Sequence, residues 1–275
     1  MNVLLTIASK EMRDGLRNRW VIAATLLLAL LALSLAFLGS APTGQVGVSP
    51  LVVTVVSLAS LTVFLIPLIA LLLSFDAVVG EVERGTMLLL LAYPVRRWQV
   101  IWGKFLGHAA LLAIATGLGY GVAGLVLALM GEAEAESWLA FGSLVGSAIL
   151  LGTVFLSIGY LLSALVRERA TAAGLAVAAW LVFVLLFDLA LLGWLSATEG
   201  RGVSADAFSW LLLLNPADVF RLLNLSGFEG VREVAGMIGV AQGAALSPPA
   251  LLAALAAWII VPLLLTVAVF QRRSL

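Results

Sequence analysis

The 275-residue chain has no cysteine, a single histidine and charged side chains at only 11% of its positions, with fifteen positive and fifteen negative. Each shortage closes off a class of function. Without cysteine there is no disulfide framework, no thiolate zinc site and no thiol nucleophile. One histidine, His108, is too few for most imidazole-based metal centres, and no Cys, His or carboxylate follows it at i+3 or i+4. Zero net charge offers no basic footprint for nucleic acid. Hydrophobic residues fill 63% of the chain instead, more than a water-soluble domain could cover with polar surface. The chain therefore reads as an all-α integral membrane protein.

A helix crossing about 30 Å of hydrocarbon needs about 20 apolar residues. Six runs qualify, at 20–39, 51–75, 103–130, 138–166, 170–196 and 250–270. The first is too long for a signal-peptide core and no cleavage site of the small-x-small kind follows it at GSAPTG, so it is expected to be retained. With the amino terminus inside, Lys10, Arg13, Arg17, Arg19, Arg84, Arg96, Arg97, Lys104, Arg167, Arg169, Arg272 and Arg273 fall in the cytoplasm, and only Arg201, Arg221 and Arg232 outside. That asymmetry, twelve against three, predicts both termini inside.

Two regions are expected to lie beside the spans in this single permease domain. In 1–19, Leu4, Ala8, Met12 and Leu16 recur every four residues, with Lys10, Glu11, Arg13, Asp14 and Arg17 between them, the pattern of an interfacial amphipathic helix. The long outer loop, 197–249, holds AFSWLLLL, then a short helix PADVFRLL with Asn215 as N-cap and Pro216 at its first position, then VREVAGMIGVAQGAAL.

Several constellations bear on chemistry. GEVERGT carries the glycine spacing of a phosphate loop at Gly80 and Gly85 but lacks the lysine, so ATP is expected to be handled by another chain. Asp188 is the sole ionisable side chain deep in a span, either a coupling or substrate-path carboxylate or a helix-to-helix hydrogen bond. His108 is expected to be an interfacial hydrogen-bonding residue. Glu132, Glu134 and Glu136 read as a solvated loop that also suits a helix start. Met12, Met87, Met130 and Met237 are scattered, without the close spacing of a copper(I) path, and no metal site is expected. Glycine pairs at 103/107, 117/121, 142/146 and 239/243 predict close helix packing, within the chain or between copies. One Asp and one distant His make a poor set for a membrane-embedded enzyme.

The charged stretch between the second and third spans, 76–102, is the most informative. Thr86 reads as the N-cap of MLLLLAY, which Pro94 ends; Pro94 then reads as the first residue of a second helix with Val95, Trp98, Trp102 and Phe105 on one face and Arg96, Arg97, Gln99 and Lys104 on the other. KEMRDGLRNRW before the first span and SFDAVVGEVERGTMLLLLAYPVRRWQVIWGKFLGH after the second resemble the two cytoplasmic hallmarks of ABC-2-type transporter permeases. FDAVVGE and LLLLNPADVFRLLNLSGFEG are more closely similar to the permeases of copper-processing ABC systems that mature nitrous oxide reductase.

This resemblance implies a type V exporter-like domain of six helices, paired with a second copy in a bacterial inner membrane. It implies a cytoplasmic ATPase dimer that binds ATP and Mg, and a periplasmic right-handed β-helix protein. Glu81, Glu83, Arg84, Gly85, Thr86 and Met87 would then form the ATPase-coupling element, with Arg167 and Glu168 as an auxiliary contact. The outer segment 214–230, including Asn215, Pro216, Asp218, Phe220 and Arg221, would meet the periplasmic partner. The function implied is a relay of ATP-driven motion, with export of a sulfur species or copper as a variant, and a generic exporter of lipid, peptide or drug as the alternative.

Overall fold

The computed structural model describes residues 3–39, 50–130, 135–198, 210–225 and 246–273. Every element among them is helical. In chain order they are α1 (Val3–Leu16), α2 (Arg19–Gly39), α3 (Pro50–Ser74), α4 (Val79–Glu83), α5 (Thr86–Leu91), α6 (Arg97–Met130), α7 (Ala135–Leu165), α8 (Arg169–Ala197), α9 (Pro216–Leu225) and α10 (Pro248–Arg272). Six stretches are long and apolar enough to cross a membrane, centred on α2, α3, α6, α7, α8 and α10. Glu132, Glu134, Met237, Gly239, Gly243, Arg201, Arg232 and the segment VREVAGMIGVAQGAAL, except its last residue, Leu246, lie outside the described residues.

Helix α7 is the axis of the bundle. It buries Leu144, Leu151, Val154, Phe155, Ile158 and Tyr160 between α3 on one side and α10 on the other, so it must be apolar all round. Where α3 and α7 touch, Gly152 admits Leu112 and Ile66, and Gly159 admits the Ser74 hydroxyl, which would lie 1.9 Å from an added Cβ. By contrast α2 and α8 turn most of their apolar surface outward, as spans that face lipid or another subunit do.

Helix α1 does more than lie at an interface. It packs along α6, and the residues it buries are Ile7 and Glu11. The seam rests on the glycine pair 103/107: an added Cβ would sit 2.8 Å from the Ile7 side chain at Gly103 and 2.7 Å from the Ala8 carbonyl oxygen at Gly107. A Cβ added at Gly117, Gly121, Gly142 or Gly146 would meet nothing within 4 Å, so among the described residues those two pairs mark no close helix contact.

Helix α8 contains one π-helical turn, Val182–Leu186, the kind of bulge that leaves a carbonyl available to an outside donor. The Asn215 amide supplies it, donating to the Phe183 oxygen at 2.9 Å.

Candidate functional site

At the arginine-rich end of the bundle, α3 does not run straight into α4 but turns at Phe75–Val78. The backbone N–H groups of Val78 and Val79, which a helix start leaves without partners, both donate to the Ser163 hydroxyl of α7 at 3.0 Å. Asp76 folds back over Gly80, where a Cβ would sit 1.8 Å from its carboxylate. It accepts from the Arg169 Nη2 at 2.9 Å, lies 2.6 Å from the Arg169 Nε as an ion pair, and lies 3.4 Å from Arg84. Glu83 accepts the Arg169 backbone N–H at 2.8 Å. The start of α8 is thus stapled to the α3–α4 corner. These pairs are half exposed, so each contributes little alone; as a cluster they fix where α4 sits.

Gly85, with φ of 73°, makes the next corner, a left-handed conformation that glycine adopts without penalty. It takes the N-cap position, and Thr86 is the first residue of α5, its hydroxyl donating back to the Glu81 carbonyl at 3.2 Å. The second expected helix starts at Arg97 rather than Pro94. Val95 N–H closes on the Tyr93 carbonyl at 2.7 Å, and the Gln99 side chain caps the Arg96 N–H at 2.9 Å, so the first free turn forms three residues later. Arg97 then donates to the carbonyls of Phe270, Gln271 and Arg273 at 2.7 to 3.1 Å. A cation there satisfies the bare C-terminus of α10.

Beneath this corner lies a buried ionic node. Lys104, expected on a polar face, has a side chain only 2% exposed, and its ammonium donates to Glu11 of α1 and Glu81 of α4, both at 2.8 Å. Glu11, expected among the polar residues of α1, points into the seam because Ile7 and Glu11 share the face that meets α6. Burial opposes ionisation of the Glu11 carboxyl, but Lys104, His108 and Lys10 together hold it below the usual carboxylate range. His108 is buried and hydrogen-bonded: Nε2 lies 3.6 Å from Glu11, and Nδ1 shares a 2.7 Å hydrogen bond with the Tyr160 hydroxyl. A carboxylate facing Nε2 suits the tautomer with the proton there and leaves Nδ1 to accept. Four helices, α1, α4, α6 and α7, therefore meet at one lysine.

Of the expected coupling residues, Glu83, Arg84 and Thr86 are exposed, whereas Glu81 is held by Lys104 and Met87 is fully buried. Arg167 and Glu168 are exposed at the α7–α8 turn. The outward face of α5 and its exit is apolar: Leu88, Leu89 and Tyr93 are 56%, 69% and 70% exposed.

At the opposite end, α9 is wedged among α3, α7 and α10. Asn215, Pro216, Asp218 and Phe220 are buried, so these side chains face into the bundle rather than out toward a partner. The Asn215 Oδ1 accepts the Ala217 N–H at 3.0 Å, a side-chain cap. Asp188 is not isolated: Arg221 donates to it and, at 2.8 Å, to Asp218. Asn224 and Ser147 bond at 2.8 Å and tie α9 to α7. Among the described residues, no group of three His, Asp or Glu side chains could hold a metal ion.

The model of the ABC-2 family transporter proteins matches residues 5–275, nearly the whole chain. This chain belongs to that family. The permease is 50% identical, over 99% of both chains, to a Stutzerimonas stutzeri protein named a probable ABC transporter permease, NosY. It is 51% identical, over the full length of both, to a protein of the same name from Pseudomonas aeruginosa. Six apolar spans and an exposed charged corner fit a multi-pass permease. The sequence reading of the permease missed Asp76, Arg169 and Ser163, and it placed Lys104 and Glu11 in solvent. One signal was available: Lys104 and His108 share a face of α6 and are interleaved with Gly103 and Gly107, the residues that mark a close helix contact.

Proposed function

We propose that this permease serves an ABC system for copper-site maturation of nitrous oxide reductase, carrying the motion of a cytoplasmic ATPase dimer through the membrane to an extracytoplasmic β-helix partner. It works as a homodimer, with the arginine-rich end and both termini in the cytoplasm of a bacterium, in line with the positive-inside bias. Two relatives at about half identity bear the name NosY, in agreement with the likeness in FDAVVGE and LLLLNPADVFRLLNLSGFEG. ATP and Mg are bound by the partner ATPase. Its docking surface is the apolar face of Leu88, Leu89 and Tyr93, rimmed by Glu83, Arg84 and Thr86, and by Arg167 and Glu168 of the neighbouring turn.

The observation that carries the reading is Lys104. It joins α4, which hangs from the docking corner, to α1 and α6 through two 2.8 Å ion pairs. A push on α5 therefore cannot stay local. Packed helices move between discrete arrangements, and α6 and α7 lead to the far end where α9 is wedged. Because Asn215, Asp218 and Phe220 face inward, the outer partner meets other parts of the loop 197–249.

The test is maturation in cells. Leu89→Asp, which places a charge on the docking face without touching the buried node, should leave the permease in the membrane. The ATPase should no longer copurify with it, and nitrous oxide reductase should lack the visible absorption of its copper sites. Fully copper-loaded reductase in cells deleted for the permease would overturn the proposed function.

A further inference from the structure

Asp188, Asp218, Arg221 and Asn215 form a polar site at the opposite end of the bundle from the docking corner. It lies where α9 crosses α8 beside the π turn, far along the chain from the arginine-rich corner. One guanidinium nitrogen of Arg221 donates to both Asp188 and Asp218, so the two carboxylates are neighbours. The second oxygen of Asp218 accepts from the Asn215 amide at 3.0 Å, and the same amide holds the Phe183 carbonyl. The Asp218 side chain is 8% exposed.

The charges do not balance. Two carboxylates face one guanidinium, and no second cation is near among the described residues. Helix α3 carries no ionisable side chain. On α7 there are only Glu136 at its first turn and Tyr160 toward its other end, bonded to His108; on α10 there is only Arg272 at its last turn, and on α8 only Arg169 at its start besides Asp188. An uncompensated negative charge among apolar helices costs several kcal/mol, and neutralising it by taking up a proton is the usual escape.

We propose that Asp188 and Asp218 form a proton-binding site, in which one proton is held between the two carboxylates and Arg221 balances the single charge that remains. Burial and the adjacent Asp188 carboxylate push the Asp218 carboxyl up to about 6, against the opposing pull of Arg221 and the Asn215 amide. With the proton bound, the cluster is neutral and each carboxylate keeps a donor. With the proton gone, both compete for one guanidinium, and the hold of α9 on the π turn weakens. Proton occupancy thereby sets how firmly α9 is seated. Such paired carboxylates titrate as a unit.

Difference infrared spectroscopy of the full chain in lipid bilayers, titrated from about pH 4 to about pH 8, reads this directly. A deuterium-sensitive carboxylic-acid carbonyl band should be present at low pH and bleach with a midpoint at about pH 6. It should be lost in Asp218→Asn, and in Asp188→Asn its midpoint should fall, because that substitution removes the neighbouring like charge while the burial of Asp218 remains. Arg221→Gln keeps both carboxylates and removes the counter-charge, so its midpoint should move upward. That variant keeps the test sound should either Asn variant fail to assemble. A band that survives Asp218→Asn, a midpoint that Asp188→Asn does not lower, or one that Arg221→Gln leaves in place, overturns the shared site.

Discussion

Replacing Lys104 by Met leaves the shape of the α1–α6 seam nearly intact and removes the cation that Glu11 and Glu81 share. Glu11 and Glu81 are then left as two carboxylates with side chains 11% and 17% exposed. Removing one partner of a buried ion pair costs about 3–5 kcal/mol, because the other charge stays in place without compensation. The partial exposure and the neighbouring Lys10 favour the lower end of that range. Since each 1.4 kcal/mol is tenfold, the transient opening of α1 from α6 should become more frequent by about a hundredfold. The absence of cysteine makes this measurable: a lone Ile7→Cys thiol, buried against Gly103 when α1 is docked, reacts with a maleimide only on opening. Its labelling should accelerate by about two orders of magnitude in Lys104→Met. It should return most of the way when Glu11→Gln and Glu81→Gln are added, since the charges that needed the lysine are gone. Labelling within about threefold of the parent, or a triple variant that opens as readily as the single one, would refute the reasoning.

The same thiol tests the seam's geometry. Gly107→Ala should raise labelling sharply, because its methyl would meet the Ala8 carbonyl at 2.7 Å, whereas Gly121→Ala, with nothing within 4 Å, should leave it unchanged. Acid should undock α1 as well. Glu11 has its folded pKa lowered, so the stability it contributes is present above its unfolded value and lost as pH falls through the folded one. Pepsin cleavage within α1 should therefore stay slow down to about pH 4 and rise below it, and Glu11→Gln should abolish that rise.

The fold was legible because length and apolarity alone decide a span. All six stretches, the short helix after Asn215 and the amphipathic character of α1 follow from period and composition. The site was legible only where local chemistry rules, as at the positive-φ corner of Gly85, and there the cap was displaced by one residue because glycine took the strained position. What stayed hidden was pairing across the sequence. Lys104 looks solvated on its own helix, and only the approach of α1, allowed by Gly103 and Gly107, buries it. Asp218 and Arg221 were expected at an outer surface because the family resemblance put their segment against a partner, yet the lone Asp188 in α8 needed a donor and drew α9 inward.

That last trade links the two ends of the permease. In both places a charged side chain in a span is satisfied by a short helix from outside the six: α1 and α4 bring Glu11 and Glu81 to Lys104, and α9 brings Arg221 to Asp188. A span with a buried charge cannot shift without carrying its partner along or stranding a charge, and stranding is the costlier course. The short helices at each end are therefore bound to the motion of the spans more tightly than apolar packing alone would bind them. In the proposed relay, input at α5 would reach α6 through Lys104, and displacement of α8 would reach α9 through Asp188. The bundle between, centred on α7, would need only to move as a packed body for the two ends to respond together.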